Sequence, residues 1–379
     1  MRIGIDASRA FGEQRTGTEN YSYQMIRHIL ALPEAKNDEF VLYVRTPPAP
    51  SLIKEGARGG GVQVEVKQIP QKFLWTQIGL AARTWLDSLD VLWVPAHTLP
   101  VLRKPGLKTV VTIHGIEYEW LPAFENVLQR WYLPLSTKYA VAQADRIIAV
   151  SEFTKKQLVA RLGAEANKIE VVWEGVSPFA FGHPPLNLRG GTKGGDILKK
   201  YDLQSKKYLL FIGTVQPRKN LVRLIEAFSR LPGELKLVIA GKPGWGYQEI
   251  LRAPEKYGVV GRVKFTGYVD DIERDILLAN ARVYVQPSIT EGFGLPVVEA
   301  FAAGVPVVAS RGGALAEVVG EAGRLFEAES EGEMEGQLRS VIKDARLRGK
   351  LIRAGIKRVG EFGWETAAIK TYNILTTRG

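Results

Sequence analysis

Thirteen short runs of β-branched and aromatic residues, separated by longer stretches with helical spacing, alternate along almost the whole chain, and that alternation leaves few folds open. Strands are expected at residues 3–6, 40–44, 62–66, 91–94, 109–113, 146–150 and 169–172 of the first half. The second half repeats the scheme at 208–212, 235–240, 263–266, 282–286, 305–309 and 324–326. Helical patterns fall between several of them, as at 20–32, where Tyr21, Met25, Ile29 and Leu32 share a face. Strand–helix alternation predicts parallel sheets covered by helices, and two sets of it predict an α/β protein of two doubly wound, Rossmann-like domains. The length of 379 residues agrees, at roughly 150 residues per domain.

Residues 181–200 separate the two sets. They contain Gly-His-Pro-Pro and Arg-Gly-Gly-Thr-Lys-Gly-Gly, a composition that is not expected to sustain a helix or a central strand. They are therefore expected to form a linker and mobile loop between a domain over 1–180 and a second over 201–361. In open α/β sheets ligands bind beyond the carboxyl ends of the strands. Two such domains facing a central cleft would thus carry their functional residues in the loops that follow strands.

Composition narrows the function. With 45% hydrophobic and 24% charged residues the chain is an ordinary globular one. The lack of any cysteine excludes thiol catalysis, zinc–thiolate sites and iron–sulfur clusters. The net charge is +11, which attracts anions. Its distribution is uneven: residues 1–178 carry 21 Lys+Arg against 18 Asp+Glu, residues 179–250 carry 12 against 5, and residues 251–379 carry 18 against 17. No arginine- or lysine-rich arm with interleaved aromatics appears, so nucleic acid is not the expected partner. The local excess points to one anionic ligand, with an acidic membrane surface as the other expected partner. The first residues form a strand pattern rather than a signal peptide, and no apolar stretch reaches ~18 residues. A cytoplasmic protein, peripheral on the inner face of a membrane at most, is expected.

The strongest constellation is Glu291-Gly-Phe-Gly-Leu-Pro-Val-Val-Glu299, directly after a strand. Pro296 suits the first position of a helix. Gly292 and Gly294 let backbone amides approach a ligand, and the helix N-terminus adds partial positive charge, which together make a phosphate cradle. Glu299 is expected in the first helical turn and Glu291 in the loop before it. The two carboxylates suit either an acid–base pair, which in glycoside hydrolases flanks one bond at ~5–9.5 Å, or clamps accepting hydrogen bonds from sugar hydroxyls. The second reading fits better beside a phosphate cradle; a dipole-stabilising glutamate and a solvated one are the plain structural alternative.

In Phe211-Ile-Gly-Thr-Val-Gln-Pro-Arg-Lys-Asn220 a strand is followed by Gly213 and then by Arg218 and Lys219 at the entrance of a helix. Cations there oppose the helix dipole, an arrangement that makes sense if an anion sits between them. A planar guanidinium and a flexible ammonium suit a diphosphate; two solvent-facing cations are the alternative. His114 ends the run Thr109-Val-Val-Thr-Ile and faces the expected cleft, where it is either a site residue or a packed one. His97 also follows a strand and is a weaker candidate, and His28 and His183 have no such placement. Gly17, in Arg15-Thr-Gly-Thr-Glu-Asn20 between the first strand and first helix, would let the backbone touch a phosphate or sugar. The sequence has neither a standard P-loop nor the common hydrolase elbow, and the lack of His-Glu-x-x-His, cysteine and Asp-x-Asp argues against a dedicated metal site.

Taken together these motifs resemble the GT-B retaining glycosyltransferases of the group-1 family, with its Glu-x7-Glu motif, and within it a mannosyltransferase-like branch. The resemblance rests on Gly-Thr-Val-Gln-Pro-Arg218-Lys219-Asn, Val-Ile-Ala-Gly-Lys242, Gly267-Tyr-Val-Asp-Asp271, the Glu291–Glu299 motif, Gly-Val-Pro-Val-Val-Ala-Ser, Thr-Ile-His114 and Val-Ser151-Glu-Phe-Thr, and it covers essentially the whole chain. It implies that the second domain binds a nucleotide sugar. Arg218 and Lys219 would hold the diphosphate and Glu299 the ribose. Glu291 with the amides of Phe293, Gly294 and Leu295 would hold the sugar, and Tyr268 to Asp271 would meet the base. Gly17 and His114 would close over the donor from the acceptor-side domain, to which the last segment, 362–379, would return as a helix. Members retain anomeric configuration without an established protein nucleophile, so the protein stabilises leaving-group charge and orients the partners. Two positions depart from the family pattern: Thr214 stands where some relatives carry Arg, leaving Arg218 as its substitute, and His114 is followed by Gly115 rather than Asp.

A metal-independent transferase using a nucleotide-activated hexose is therefore expected, with GDP-mannose ahead of UDP- or dTDP-hexose donors. The acceptor would be a glycan or a lipid-linked glycan, and the setting polysaccharide or glycoconjugate synthesis. Aromatics in 116–139 (Tyr118, Trp120, Phe124, Trp131, Tyr132, Tyr139) and 72–86 (Phe73, Trp75, Trp85) could touch it, although core packing explains most at helical spacing. The reading from a different class is a non-catalytic GT-B-like binding subunit docked on acidic membrane.

Overall fold

The computed structural model describes residues 1–12, 17–45, 61–71, 73–119, 127–176 and 192–377. The chain divides into two compact units, Met1–Gly175 with Gly363–Gly379, and Val176–Phe362.

Unit 1 is built on seven parallel strands, Arg2–Asp6 (β1), Glu39–Val44 (β2), Gln63–Gln68 (β3), Val91–Val94 (β4), Lys108–Ile113 (β5), Arg146–Ala149 (β6) and Ile169–Val171 (β7), in the order β3-β2-β1-β4-β5-β6-β7. The central strands are buried on both faces, which is why they read as unbroken apolar runs such as Val-Leu-Trp-Val. The edge strand β3 alternates instead, exposing Gln63, Glu65 and Gln68. The helix Gly17–Leu30 buries Tyr21, Met25, Ile26 and Ile29. The final helix, Trp364–Thr376, packs on it. Its last turn is held by Lys108, whose Nζ donates to the carbonyls of Ile374 (2.7 Å) and Leu375 (3.1 Å), a cation at the negative end of a helix.

Unit 2 repeats the scheme with Tyr208–Ile212 (β8), Lys236–Ala240 (β9), Val263–Gly267 (β10), Val283–Gln286 (β11), Val307–Ser310 (β12) and Gly323–Phe326 (β13), ordered β10-β9-β8-β11-β12-β13. Phe211, Leu224, Ile239, Val285, Phe326 and Leu338 form the centre of its core. All thirteen expected strands are present, with ends shifted by at most two residues. In each sheet the strand order reverses once, between β1 and β4 and between β8 and β11. Loops leaving adjacent strands at such a point diverge to opposite faces and open a crevice at the carboxyl ends.

One expectation fails. Residues 192–200, read as linker, form the helix Thr192–Lys200 within unit 2, packed on the helix Asp271–Asn280. Leu198 is buried there, and Tyr201 and Leu203 follow it into the interior. That apolar series outweighs the glycines, whose cost of about 1 kcal/mol each had favoured a loop. Residues 181–191, with His183, lie outside the described residues. Among the described residues no helix is long and apolar enough to cross a membrane.

Candidate active site

In unit 2 the crevice at the strand-order reversal is lined by the loops after β8 and β11. Gly213 opens the first, its N–H donating to Ala240 O (2.9 Å). A 3₁₀ turn, Pro217–Lys219, then carries Arg218 and Lys219 into the helix Leu221–Ser229. Asn220 stitches this turn to its neighbours, its Nδ2 donating to Pro287 O (3.0 Å) and Ala328 O (2.7 Å).

The second loop presents Glu291, which is buried and accepts four donors. Arg218 Nη1 reaches Oε2 at 2.9 Å, while Lys219 Nζ (2.5 Å), Ser288 Oγ (2.6 Å) and Gln286 Nε2 (2.8 Å) converge on Oε1. Burial alone would raise this carboxyl, but the charges of Lys219 and then Arg218 outweigh it and hold the group down at about 2. The cations that the sequence leaves facing a helix dipole thus meet a carboxylate contributed from across the sheet. Two positive charges on one negative leave a cationic centre.

Beyond Glu291 the chain turns through Gly292 and Phe293 to Gly294, left-handed at φ +103°, and enters the helix Leu295–Ala302. The first amides of a helix have no intrahelical acceptor and carry the positive end of the dipole, so this end suits an anion. Phe293 and Leu295 are buried, and the Phe293 ring meets Phe362 edge-on at 5.8 Å. Their side chains belong to the core, so what they offer a ligand is backbone. Glu299 was expected in the first turn. The left-handed Gly294 starts the helix before Pro296, so Glu299 is its fifth residue, and its side chain is buried.

Glu299 lies 3.6 Å from Arg274, which also binds Asp271 (2.9 Å) and Asp275 (2.9 Å). Burial opposes the guanidinium charge, but Glu299, Asp275 and Asp271 together strengthen its hold on the proton. Asp275 is pushed up to about 6, burial outweighing the attraction of Arg274. Arg274 therefore joins Asp271 and Glu299, two residues the sequence singles out separately. Tyr268 stands exposed in the loop after β10. The loop after β12 packs under Glu291, with Ala314 N donating to Glu291 O (2.8 Å).

In unit 1 His114 follows β5. Its Nδ1 is 3.1 Å from Glu174 Oε1, its Nε2 2.9 Å from Pro95 O, and Tyr21 stands edge-on at 4.5 Å. Where the family pattern has Asp after this histidine, Gly115 lies at φ +146°, and the carboxylate on His114 comes from the loop after β7. The His97 ring is 5.8 Å away and half-buried, its pKa lowered to about 3 by desolvation and then by His114. Gly17 is the first residue of its helix, with open space where a Cβ would stand; residues 13–16 lie outside the described residues. So do Trp120 and Phe124. Trp75 is buried, whereas Phe73, Trp85 and Tyr132 are exposed.

Sequence reasoning missed Ser288, Gln286, Asn220, Arg274, Asp275 and Glu174. A polar pair at the inner end of a buried strand, Gln286 and Ser288, was a usable signal. Glu174 had none, since it reaches His114 across sixty residues.

Two family models match the chain: glycosyltransferase family 4 over residues 15–178 and glycosyl transferases group 1 over residues 196–358. The chain is 30% identical to O-antigen chain mannosyltransferase B of Escherichia coli over 270 residues, 70% of this chain and 69% of that one. It is 30% identical over 319 residues to the phosphatidyl-myo-inositol mannosyltransferase of Mycobacterium leprae, covering 78% and 77%. Among solved structures, Anabaena HepE in complex with UDP-glucose superposes over 99% of both chains with a TM-score of 0.72 at 17% identity, a likeness of fold. With both sheets, the Glu291–Glu299 loop and two relatives matched over more than two thirds of their length, the chain belongs to the group-1 glycosyltransferases of the GT-B fold, on a mannosyltransferase-like branch.

Proposed function

We propose that this glycosyltransferase moves a hexose from a nucleotide sugar, with retention of anomeric configuration and without a metal, to a glycan or lipid-linked acceptor in polysaccharide or glycoconjugate synthesis. The observation that carries the reading is the convergence of Arg218 and Lys219 on Glu291 at the strand-order reversal of unit 2, beside the N-terminus of Leu295–Ala302. A diphosphate placed there would take over the two cations and receive backbone amides of residues 293–295, with Gly213 and Gly292 leaving it room. Charge developing on the leaving group would be met by groups already in position, an electrostatic contribution that in many enzymes exceeds any other. Released from one partner, Glu291 would accept hydroxyls of the transferred sugar. Glu299, fixed by Arg274, would clamp the ribose, and Tyr268 and Asp271 would bound the base.

In unit 1, His114 and Gly17, the first residue of its helix, would be the residues that serve the transfer. The departing diphosphate would take the acceptor proton on the face it leaves, so the bond to the acceptor oxygen forms as that to phosphate breaks. Mannose from GDP-mannose is favoured by the mannosyltransferases among the relatives. A UDP-hexose is the second reading, favoured by the UDP-glucose in the HepE complex; a dTDP-sugar is the third donor to test. Titration calorimetry with GDP, UDP and dTDP identifies the base. Binding of none of the three refutes the reading, and anomeric assignment of the product by NMR tests retention. Turnover in the presence of a chelator tests metal independence.

A further inference from the structure

Unit 1 carries an apolar face that its other described residues leave uncovered. The segment 75–86 starts as a π-helical turn, Trp75–Leu80, and continues as the helix Ala81–Leu86. Trp75, Gly79, Leu80 and Thr84 fill its inner side. Ile78, Ala82, Trp85 and Leu86 recur at i, i+4, i+7 and i+8 on the other side and stand in solvent, Leu86 at 70% of its full exposure.

Two further segments extend this stripe. Gln77 binds Leu99 O (3.0 Å) and Val101 N (2.9 Å), and Lys104 N donates to Thr84 Oγ1 (3.1 Å), so the loop 99–104 runs alongside. It brings Val101 and Leu102, the latter 75% exposed. The hydroxyl of Tyr132 lies 3.4 Å from Gln77 Nε2, which places the helix Val127–Gln143 next in line, with Leu135 one turn further and 62% exposed. Nine of the fifteen exposed large hydrophobic residues among the described residues fall in these three segments and the two positions before them. An apolar face of that extent marks an interaction surface.

Charge selects the partner. In sequence, residues 71–86, 99–107 and 127–143 hold six Lys or Arg and no Asp or Glu, an excess hidden in the near balance of residues 1–178. Among the described residues Arg103 bonds to uncharged acceptors, Pro100 O (3.1 Å), Tyr139 OH (2.9 Å) and Gln143 O (3.0 Å), which leave its charge uncompensated there. A second copy of the chain, meeting this face with its own, would oppose like charges. Aliphatic side chains with Trp and Tyr, on segments whose charged residues are all cationic, match the headgroup boundary of an anionic bilayer.

We propose that this face of unit 1 docks on an anionic lipid bilayer, with Trp85, Leu86, Leu102 and Leu135 entering the headgroup–acyl boundary. The inference is independent of which sugar the enzyme transfers. Flotation of the full chain with phosphatidylglycerol and with phosphatidylcholine vesicles tests it without any turnover. Binding to phosphatidylglycerol is expected, weakened by salt and lowered at least about tenfold by the pair Leu86→Glu and Leu102→Glu. Val260→Glu, at an exposed apolar position of unit 2, should leave it intact. Thermal melts check folding; if the pair unfolds, Leu102→Gln alone and quenching of tryptophan by brominated lipid replace it, with a weaker affinity and quenching by phosphatidylglycerol vesicles expected. Failure of the wild type to bind phosphatidylglycerol overturns the proposal, as does equal binding by the variant. A dimer that the variant dissociates, with no vesicle binding, overturns it in favour of a second copy.

Discussion

Nδ1 of His114 lies 3.1 Å from Oε1 of Glu174 while Nε2 of the same ring lies 2.9 Å from Pro95 O. Both polar atoms of the ring are thus taken by acceptors of the protein, a carboxylate at one end and a main-chain carbonyl at the other. With Tyr21 edge-on against it, the imidazole is fixed in plane and direction. A ring held at both nitrogens is positioned rather than free to swing.

Glu174 is accordingly expected to act through His114. Glu174→Ala should lower kcat about a hundredfold, the scale of a small misplacement in a site. Glu174→Gln should recover most of it, because the amide can still meet Nδ1 at the same distance. Steady-state kinetics of both variants decides: equal loss in the two would assign the effect to charge rather than orientation, and no loss in either would show that Glu174 does not act through His114.

Lys219 and Glu291 should separate function from folding. Lys219→Ala leaves Glu291 with Arg218, Ser288 and Gln286 as donors, so the fold should hold while transfer falls at least about a hundredfold. Glu291→Ala instead takes the shared carboxylate from two half-buried cations and should cost about 1–3 kcal/mol. Its inactivity alone would thus say nothing of catalysis. Melting curves beside turnover for Lys219→Ala, Glu291→Ala and Glu291→Gln test the distinction; full turnover of Lys219→Ala would refute its role.

The two carboxyls of unit 2 should act in opposite senses with pH. Glu291, held down at about 2, binds fewer protons folded than unfolded, so its contribution is complete above the ordinary value of about 4.3 and is lost as pH falls towards 2. Asp275, raised to about 6, binds more protons folded than unfolded. Its contribution is complete below about 3.9 and is lost as pH rises through 6. Relative to wild type, Asp275→Asn should therefore gain stability from pH 4 to pH 7. Urea unfolding across that range measures it, and a flat difference would count against the buried position of Asp275.

The strands were legible because burial on both faces demands unbroken β-branched runs. Arg218 with Lys219, and Glu291 with Glu299, were legible because each pair sits within a single short stretch of chain, a turn in the first case and a loop running into a helix in the second. The contacts that give these residues meaning were not. Glu291 meets Arg218 across 73 positions and Lys219 across 72, a proximity set by the pairing of β8 with β11 and by no local pattern. The helix Thr192–Lys200 was hidden for the converse reason: its glycines speak locally, and the burial of Leu198 speaks only in the fold.

The glycine pair after β12 is the sharpest test of how the site is supported. Gly313 has φ +67°, and a Cβ there would stand 2.3 Å from Glu291 O and 2.5 Å from its N. Left-handed backbone costs a non-glycine residue roughly 1–2 kcal/mol, and the clash falls on backbone that cannot rotate away. Gly313→Ala should therefore move the Glu291 loop off Arg218 and Lys219, lowering the melting temperature and the transfer rate together. Gly332, on the outer helix Glu331–Lys343 with open space around a Cβ, is the matched control, and Gly332→Ala should leave both unchanged or slightly raise stability. Comparable activity in the two variants would mean that the loop after β12 does not fix Glu291.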